Sequence, residues 1–178
     1  MRAKANLLRY KAEEGITLNL SNGLYGIERF SPDDILILGM GGELIRDIIS
    51  RAEFTKNSGV RLILQPMTHP EILRGFLSQN GYSITDEAII EEDKIYQIMV
   101  ATYTGEVYSL SPMELHFGAL NLRERSPALL ALLRRQKEIL MARQAGRKAS
   151  LTPDSDPYED SLLEEIDKKI GELTTKNT

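Results

Sequence analysis

The chain has 178 residues, of which 42% are apolar and 27% charged, a balance that suits a soluble globular domain with a real core and an appendage. It has no cysteine, which excludes a disulfide scaffold, a thiolate metal site and a cysteine nucleophile; with no leader pattern and no long apolar span it reads as cytoplasmic, with no membrane role. The net charge of −4 hides an asymmetry: residues 1–112 carry 11 basic and 15 acidic side chains, residues 113–150 carry 8 and 3, and residues 151–178 carry 3 and 8, so the acidic total does not exclude a nucleic-acid partner.

In chain order, Ala3, Leu7 and Tyr10 fall at helical spacing and predict a helix over Met1–Glu13 that Gly15 ends. Ile16, Leu18 and Leu20 alternate with polar residues and predict a strand, followed by an Asn22-Gly23 turn. Asp33 and Asp34 introduce a second strand, Ile35–Leu38. The glycine cluster Gly39-Met40-Gly41-Gly42 leads from it into a helix over Glu43–Ala52, with Leu44, Ile45, Ile48 and Ile49 on one face. A loop at Lys56–Gly59 precedes a third strand, Val60–Leu64, which ends at Gln65-Pro66. Thr68 and Glu71 then form the pattern of a capping box around Pro70, opening a helix whose apolar face is Ile72, Leu73, Phe76 and Leu77 and whose stop is Gly81.

Two extended runs, Tyr82–Ile90 and Lys94–Ala101, flank Glu91-Glu92-Asp93 and predict an antiparallel hairpin. Beyond about Ser111 the pattern is helical. A basic helix carries Leu129, Leu132, Leu133, Gln136, Ile139 and Leu140; an acidic one, opened by Asp156, Pro157 and Glu159, carries Leu162, Leu163, Ile166, Ile170 and Leu173. Their opposite charges suit an antiparallel helical hairpin. The order predicts an α/β fold, a mostly parallel sheet with an antiparallel edge hairpin over residues 1–110 and the helical hairpin over 111–178.

Gly39–Gly42 is the first candidate site. Leu44 stands where the third glycine of a dinucleotide fingerprint belongs, so that match is weak. Two readings remain: a tight turn with no ligand, or a backbone platform at a strand end where open α/β sheets hold their ligands. Gln65 ends the neighbouring strand on the same rim, where its amide suits a base edge. His69, at a helix start, reads as exposed, and His116, among apolar neighbours, as structural. Glu91-Glu92-Asp93 reads as a solvated tip, and no metal site is indicated. A serine-hydrolase elbow, paired metal histidines and a phosphate-binding loop are all absent from the sequence. Arg123, Arg125, Arg134, Arg135, Lys137, Arg143, Arg147 and Lys148 suit phosphate contacts, or equally a solvated face neutralised by the acidic helix.

Taken together, Asn22-Gly23-Leu24, Ile37-Leu38-Gly39-Met40-Gly41-Gly42, Leu62-Ile63-Leu64-Gln65-Pro66, Leu77-Ser78-Gln79-Asn80-Gly81-Tyr82 and Glu92-Asp93-Lys94-Ile95-Tyr96 resemble the bacterial tRNA adenine-N1 methyltransferases that act on position 22 of tRNA. The resemblance runs from about Ala3 to Ala101, more loosely into the C-terminal helices. It implies a class I, Rossmann-like methyltransferase sheet, S-adenosyl-L-methionine as cofactor and tRNA as partner. Asn22, Gly23 and Gly39 are then expected near the cofactor, Gly39, Met40, Gly41, Gly42 and Gln65 at the methyl-transfer site, and Arg123, Arg125, Arg134, Arg135, Lys137 and Arg143 on tRNA. Met67 departs from the asparagine often found at its position in the family.

The family's strand order is 3-2-1-4-5-7-6, and this sequence shows neither the first two strands nor their glycine-rich loop and ribose-binding acid. The expectation is therefore a truncated member with impaired activity and little or no cofactor binding. Its Ile35–Leu38 strand would become an exposed edge open to self-association, unless a misplaced start, direct pairing with Ile16–Leu20 or a partner chain repairs it. The alternative is a non-catalytic tRNA-binding or interaction protein that keeps half the fold; a dinucleotide-dependent oxidoreductase is a distant third.

Overall fold

The computed structural model describes residues 2–12, 14–149 and 154–175. The predicted first helix appears as α1 (Arg2–Tyr10); its expected limits Met1 and Glu13 lie outside the described residues. It stops before Gly15, at Lys11, which takes a left-handed φ of +54°.

Ile16–Leu20 does not form a strand. Ile16 and Leu18 are each 49% exposed and Leu20 fully so, and none of the four strands among the described residues pairs with them. Alternation alone cannot hold an extended segment whose ladder bonds have no partner. The Asn22-Gly23 turn does form, with Tyr25 N donating to Asn22 O and Gly23 at φ +60°.

A four-stranded sheet follows: β1 (Asp34–Gly41), β2 (Arg61–Thr68), β3 (Tyr82–Glu91) and β4 (Ile95–Tyr103), in the order β1-β2-β4-β3. β1 and β2 pair in parallel, while β2–β4 and β4–β3 are antiparallel. The sheet is thus mixed, and its order is the 4-5-7-6 half of the order expected from the resemblance. The parallel share is one pairing of three, because the hairpin returns β4 between β2 and β3.

Both parallel strands run further than predicted. β1 continues through Gly39 to Gly41 with a bulge after Leu38, and α2 (Gly42–Ser50) starts with no intervening loop. β2 continues through Gln65-Pro66 to Thr68. Pro66 is tolerated because β4 pairs with β2 only as far as Leu64, so no ladder bond to β4 is asked of it. Thr68 is therefore a strand residue, and the predicted Thr68–Glu71 capping box is absent. The N-cap of α3 (Pro70–Gln79) is His69, at φ +53°, whose Nδ1 lies 2.9 Å from Glu71 Oε1.

One core lies between the sheet and α2 and α3. Ile35, Ile37, Ile45, Ile49, Leu62, Leu64, Leu73, Leu77, Tyr82 and Met99 are buried there. On the other face of β1, Leu36 is 59% and Leu38 51% exposed, and β1 pairs only with β2 among the described residues. A second core joins α4 (Pro112–Phe117), α5 (Pro127–Lys148) and α6 (Pro157–Thr174) around Phe117, Leu129, Leu133, Leu140, Leu162 and Ile166. Here a capping box does form: the Ser111 side chain accepts from Glu114 N, and Glu114 accepts from Ser111 N. Ser126 and Asp156 cap α5 and α6. Ion pairs Lys137–Asp167, Arg143–Glu159 and Arg147–Glu159 run in opposite residue order along the two helices, so α5 and α6 form the antiparallel hairpin predicted.

Candidate active site

Because β1 and β2 run parallel, their carboxyl ends share one rim, with Leu38 opposite Gln65, Met40 opposite Pro66 and Gly41 opposite Thr68. Gly39 is left out of that register. At φ +78° it adopts a bulge conformation that a residue with a Cβ seldom takes, and its amide donates to Gln65 Oε1 at 2.9 Å. Two residues expected on one rim from parallel strand ends are thus bonded to each other. The oxygen of the Gln65 amide is committed to this brace. Its Nε2 donates to Pro66 O at 3.3 Å and to Met67 Sδ at 3.4 Å, and sulfur, a weak acceptor, is the partner most readily exchanged for a ligand's.

The glycines of the cluster are glycine for different reasons. A Cβ on Gly42 would strike the His69 carbonyl, and one on Gly41 would sit 3.1 Å from Thr68 Oγ1, so both are fixed by the close approach of α2 to the β2–α3 connection. A Cβ on Gly39 would meet nothing within 4 Å. The open space a bound group would need therefore lies at Gly39, beside the half-exposed Met40.

Asn22 and Gly23 are not brought to this rim. They line a hollow of about 170 Å³ with Leu24, Tyr25, Ile48, Arg51 and Ala52, and Gly23 packs on Ile48. Ile48 is six residues along α2 from Gly42, roughly 9 Å down the helix from the rim.

A cleft runs from Gln65 between the sheet and α5. One part, about 250 Å³, is lined by Gln65, Pro66, Met67, Lys94, Tyr96 and Arg135. The adjoining part, about 330 Å³, is lined by Pro66–Glu71, Gln97, His116, Gln136 and Arg143, and shares Arg135. Glu71 sits between two histidines, 2.9 Å from His69 Nδ1 and 4.0 Å from His116 Nδ1, and His116 Nε2 lies 3.2 Å from the Tyr158 hydroxyl. Burial holds His116 below the ordinary histidine range; Glu71 opposes that shift, and Arg74 and Arg143 add to it.

Behind the cleft lies a buried hub that periodicity alone does not reveal. Arg74 is fully buried and donates to Glu87 Oε1 at 2.8 Å, Gln97 Oε1 at 2.9 Å, Leu115 O at 3.0 Å and His116 O at 3.2 Å. Glu87 Oε2 accepts from Leu120 N, and a Cβ on Gly118 would collide with the Glu87 carboxylate. The one signal in the sequence is an arginine set among the apolar residues Ile72, Leu73, Phe76 and Leu77.

The basic residues divide. Lys137, Arg143 and Arg147 pair with Asp167 and Glu159 on α6. Arg123, Arg125, Arg134 and Arg135 are exposed and form no ion pair among the described residues, and of these Arg135 alone lines the cleft.

Residues 1–172 match the family described as tRNA (adenine(22)-N(1))-methyltransferase. A Bacillus subtilis protein of that description is 36% identical over 100 residues, 56% of this chain and 42% of that protein, so the match spans less than half of this relative's length. Among solved structures, a Streptococcus pneumoniae protein assigned as a tRNA (m1A22) methyltransferase, crystallised with S-adenosyl-L-methionine, is 29% identical with a TM-score of 0.78, over 94% of this chain and 75% of that one. The Bacillus subtilis m1A22 tRNA methyltransferase is 25% identical with a TM-score of 0.72, over 97% of this chain and 75% of that one.

Proposed function

The chain belongs to the tRNA (adenine(22)-N(1))-methyltransferase family, and from that premise we propose that it acts in S-adenosyl-L-methionine-dependent methyl transfer to N1 of an adenine in tRNA. The observation that carries the reading at the level of this chain is the Gly39–Gln65 brace, which fixes an open strand end beside a cleft. The crystallised Streptococcus pneumoniae relative holds S-adenosyl-L-methionine, which supports the cofactor. A tRNA substrate would place the protein in the cytoplasm. The edge of β1, which pairs only with β2 among the described residues, supports pairing with a second copy.

The chemistry asks little of acids and bases. The N1 lone pair of adenine is already nucleophilic, and the cofactor supplies an activated methyl group when bound. What the chain's own residues contribute is orientation: Gln65 locks the Gly39 amide, the missing side chain at Gly39 lets a base approach the backbone, and Gln65 Nε2 offers the base edge a donor. Asn22 and Gly23 line a hollow whose other walls are Leu24, Tyr25, Ile48, Arg51 and Ala52, and Gly39 is not among them.

That separation favours a second reading, a tRNA-binding protein without catalysis. One experiment decides between them. The chain is incubated with unmodified tRNA and excess S-adenosyl-L-methionine, and N1-methyladenosine is read as a primer-extension stop. The methyltransferase reading expects a stop at adenine 22 and a loss in kcat/KM of about tenfold or more in Gln65→Ala, since small misplacements are costly when catalysis is positional. Binding of tRNA with no methylation at saturating cofactor would overturn it in favour of the second reading.

A further inference from the structure

The cleft beside Gln65 has two walls that come from distant parts of the chain. Lys94 and Tyr96 stand on the β3–β4 hairpin, and Arg135 on α5. Arg135 lines both parts of the cleft, at the point where they meet. Lys94 and Arg135 are exposed, and neither has a carboxylate within ion-pairing distance among the described residues. This contrasts with Lys137, Arg143 and Arg147 on the same helix, whose charge is met by α6. At the acidic hairpin tip the Asp93 carboxylate accepts from the Tyr96 hydroxyl at 3.0 Å, which ties the ring to the tip, and Lys94 forms no ion pair with it among the described residues.

We propose that Lys94 and Arg135 form a two-walled clamp for the phosphodiester of the nucleotide whose base reaches the Gln65 rim, with the β3–β4 hairpin tip as part of the RNA interface. This rests on the tRNA reading above and adds to it a site that a basic-helix view does not contain. Two cations that line one groove without an ion-pair partner among the described residues are free to meet an anion there, and a guanidinium suits paired contacts to phosphate oxygens. Tyr96 lines the same groove and offers the neighbouring base an aromatic surface. The clamp also explains why a solvated-looking tip, Glu91-Glu92-Asp93, is followed at once by a lysine that the tip does not pair.

The test is tRNA affinity measured against salt for the full chain and for Lys94→Ala, Arg135→Ala and Lys168→Ala. Lys168 is exposed on α6 and lines neither part of the cleft, so it serves as the control. Each clamp variant should weaken binding by about tenfold at moderate salt and reduce the slope of log K against log salt by about 1, while Lys168→Ala stays within about twofold. Unchanged thermal midpoints show that the variants are folded. Parent-like affinity and slope in Lys94→Ala and Arg135→Ala would overturn the clamp, as would an equal loss in Lys168→Ala, which would mark a response to net charge alone. If the parent itself binds no tRNA, the tRNA reading falls and the clamp with it; if the parent binds and the clamp variants match it, only the clamp falls.

Discussion

Arginine and glutamate meet at two places in this molecule, with opposite surroundings. At the joint between the sheet and the helices, Arg74 and Glu87 are 0% and 1% exposed at their side chains; at the α5–α6 seam, Arg143 is 57% and Glu159 15% exposed. The first pair is enclosed by four carbonyl or amide partners and a glycine with no room to spare. The second is open to water and salt. The same chemistry therefore anchors in one region and tunes in the other, because removing one partner strands a charge only where water cannot replace it.

The largest expected effect is at Glu87. Glu87→Ala would leave Arg74 charged and unpaired in the core and take the acceptor from Leu120 N, a loss of about 3–5 kcal/mol. Glu87→Gln keeps an acceptor and should fall between the two. Urea unfolding of both variants checks the order, and a loss below about 1 kcal/mol in Glu87→Ala would show that the joint is not closed in solution.

His116 sits at an intermediate depth, between Glu71 on α3 and Tyr158 on α6, and should give the next largest effect. Its folded pKa lies below the ordinary value of 6.5, first because burial disfavours the imidazolium; Arg74 and Arg143 add to the shift, and Glu71 and Glu159 oppose it. The unfolded chain therefore takes up this proton at higher pH than the folded one. The contribution is complete above 6.5 and is lost as pH falls through that value toward the folded pKa. Unfolding midpoints across this range should fall more steeply for the parent than for His116→Asn; parallel profiles would remove His116 from the joint.

How much was legible in the sequence follows the same division between local and enclosed. Period sufficed for the existence of β1, β2, α2, α3, the β3–β4 hairpin and the α5–α6 pair, Asp156 marked the start of α6, and the expectation of parallel strands put Gly39 and Gln65 on one rim. Ile16–Leu20 misled because alternation reports a preference, while a strand also needs a neighbour. Thr68 misled because the strand runs four residues past Leu64, through Thr68 itself, and His69 takes the left-handed N-cap position. The Arg74–Glu87 hub was not legible, since a charged residue on a helix reads as surface until the fold packs the strand that carries its partner, thirteen positions on, against it. The split of the basic residues was not legible either: whether Lys137 or Arg135 is neutralised depends on which face α6 covers.

The smallest effect belongs to the open seam. Glu159 pairs with both Arg143 and Arg147 and lies in the first turn of α6, where the Asp156 cap accepts from Tyr158 N and Glu159 N. A negative charge there is favoured by the helix N-terminus as well as by the arginines. Both contributions are screened by salt, whereas the buried joint is not. Glu159→Gln should therefore lower the thermal midpoint by no more than about 3 °C at low salt, and by less at about 1 M salt. The same salt should leave the Glu87→Ala loss nearly unchanged. If Glu159→Gln cost as much as Glu87→Ala, or kept its full effect in high salt, the seam would be as enclosed as the joint, and depth would not be what separates the two pairs.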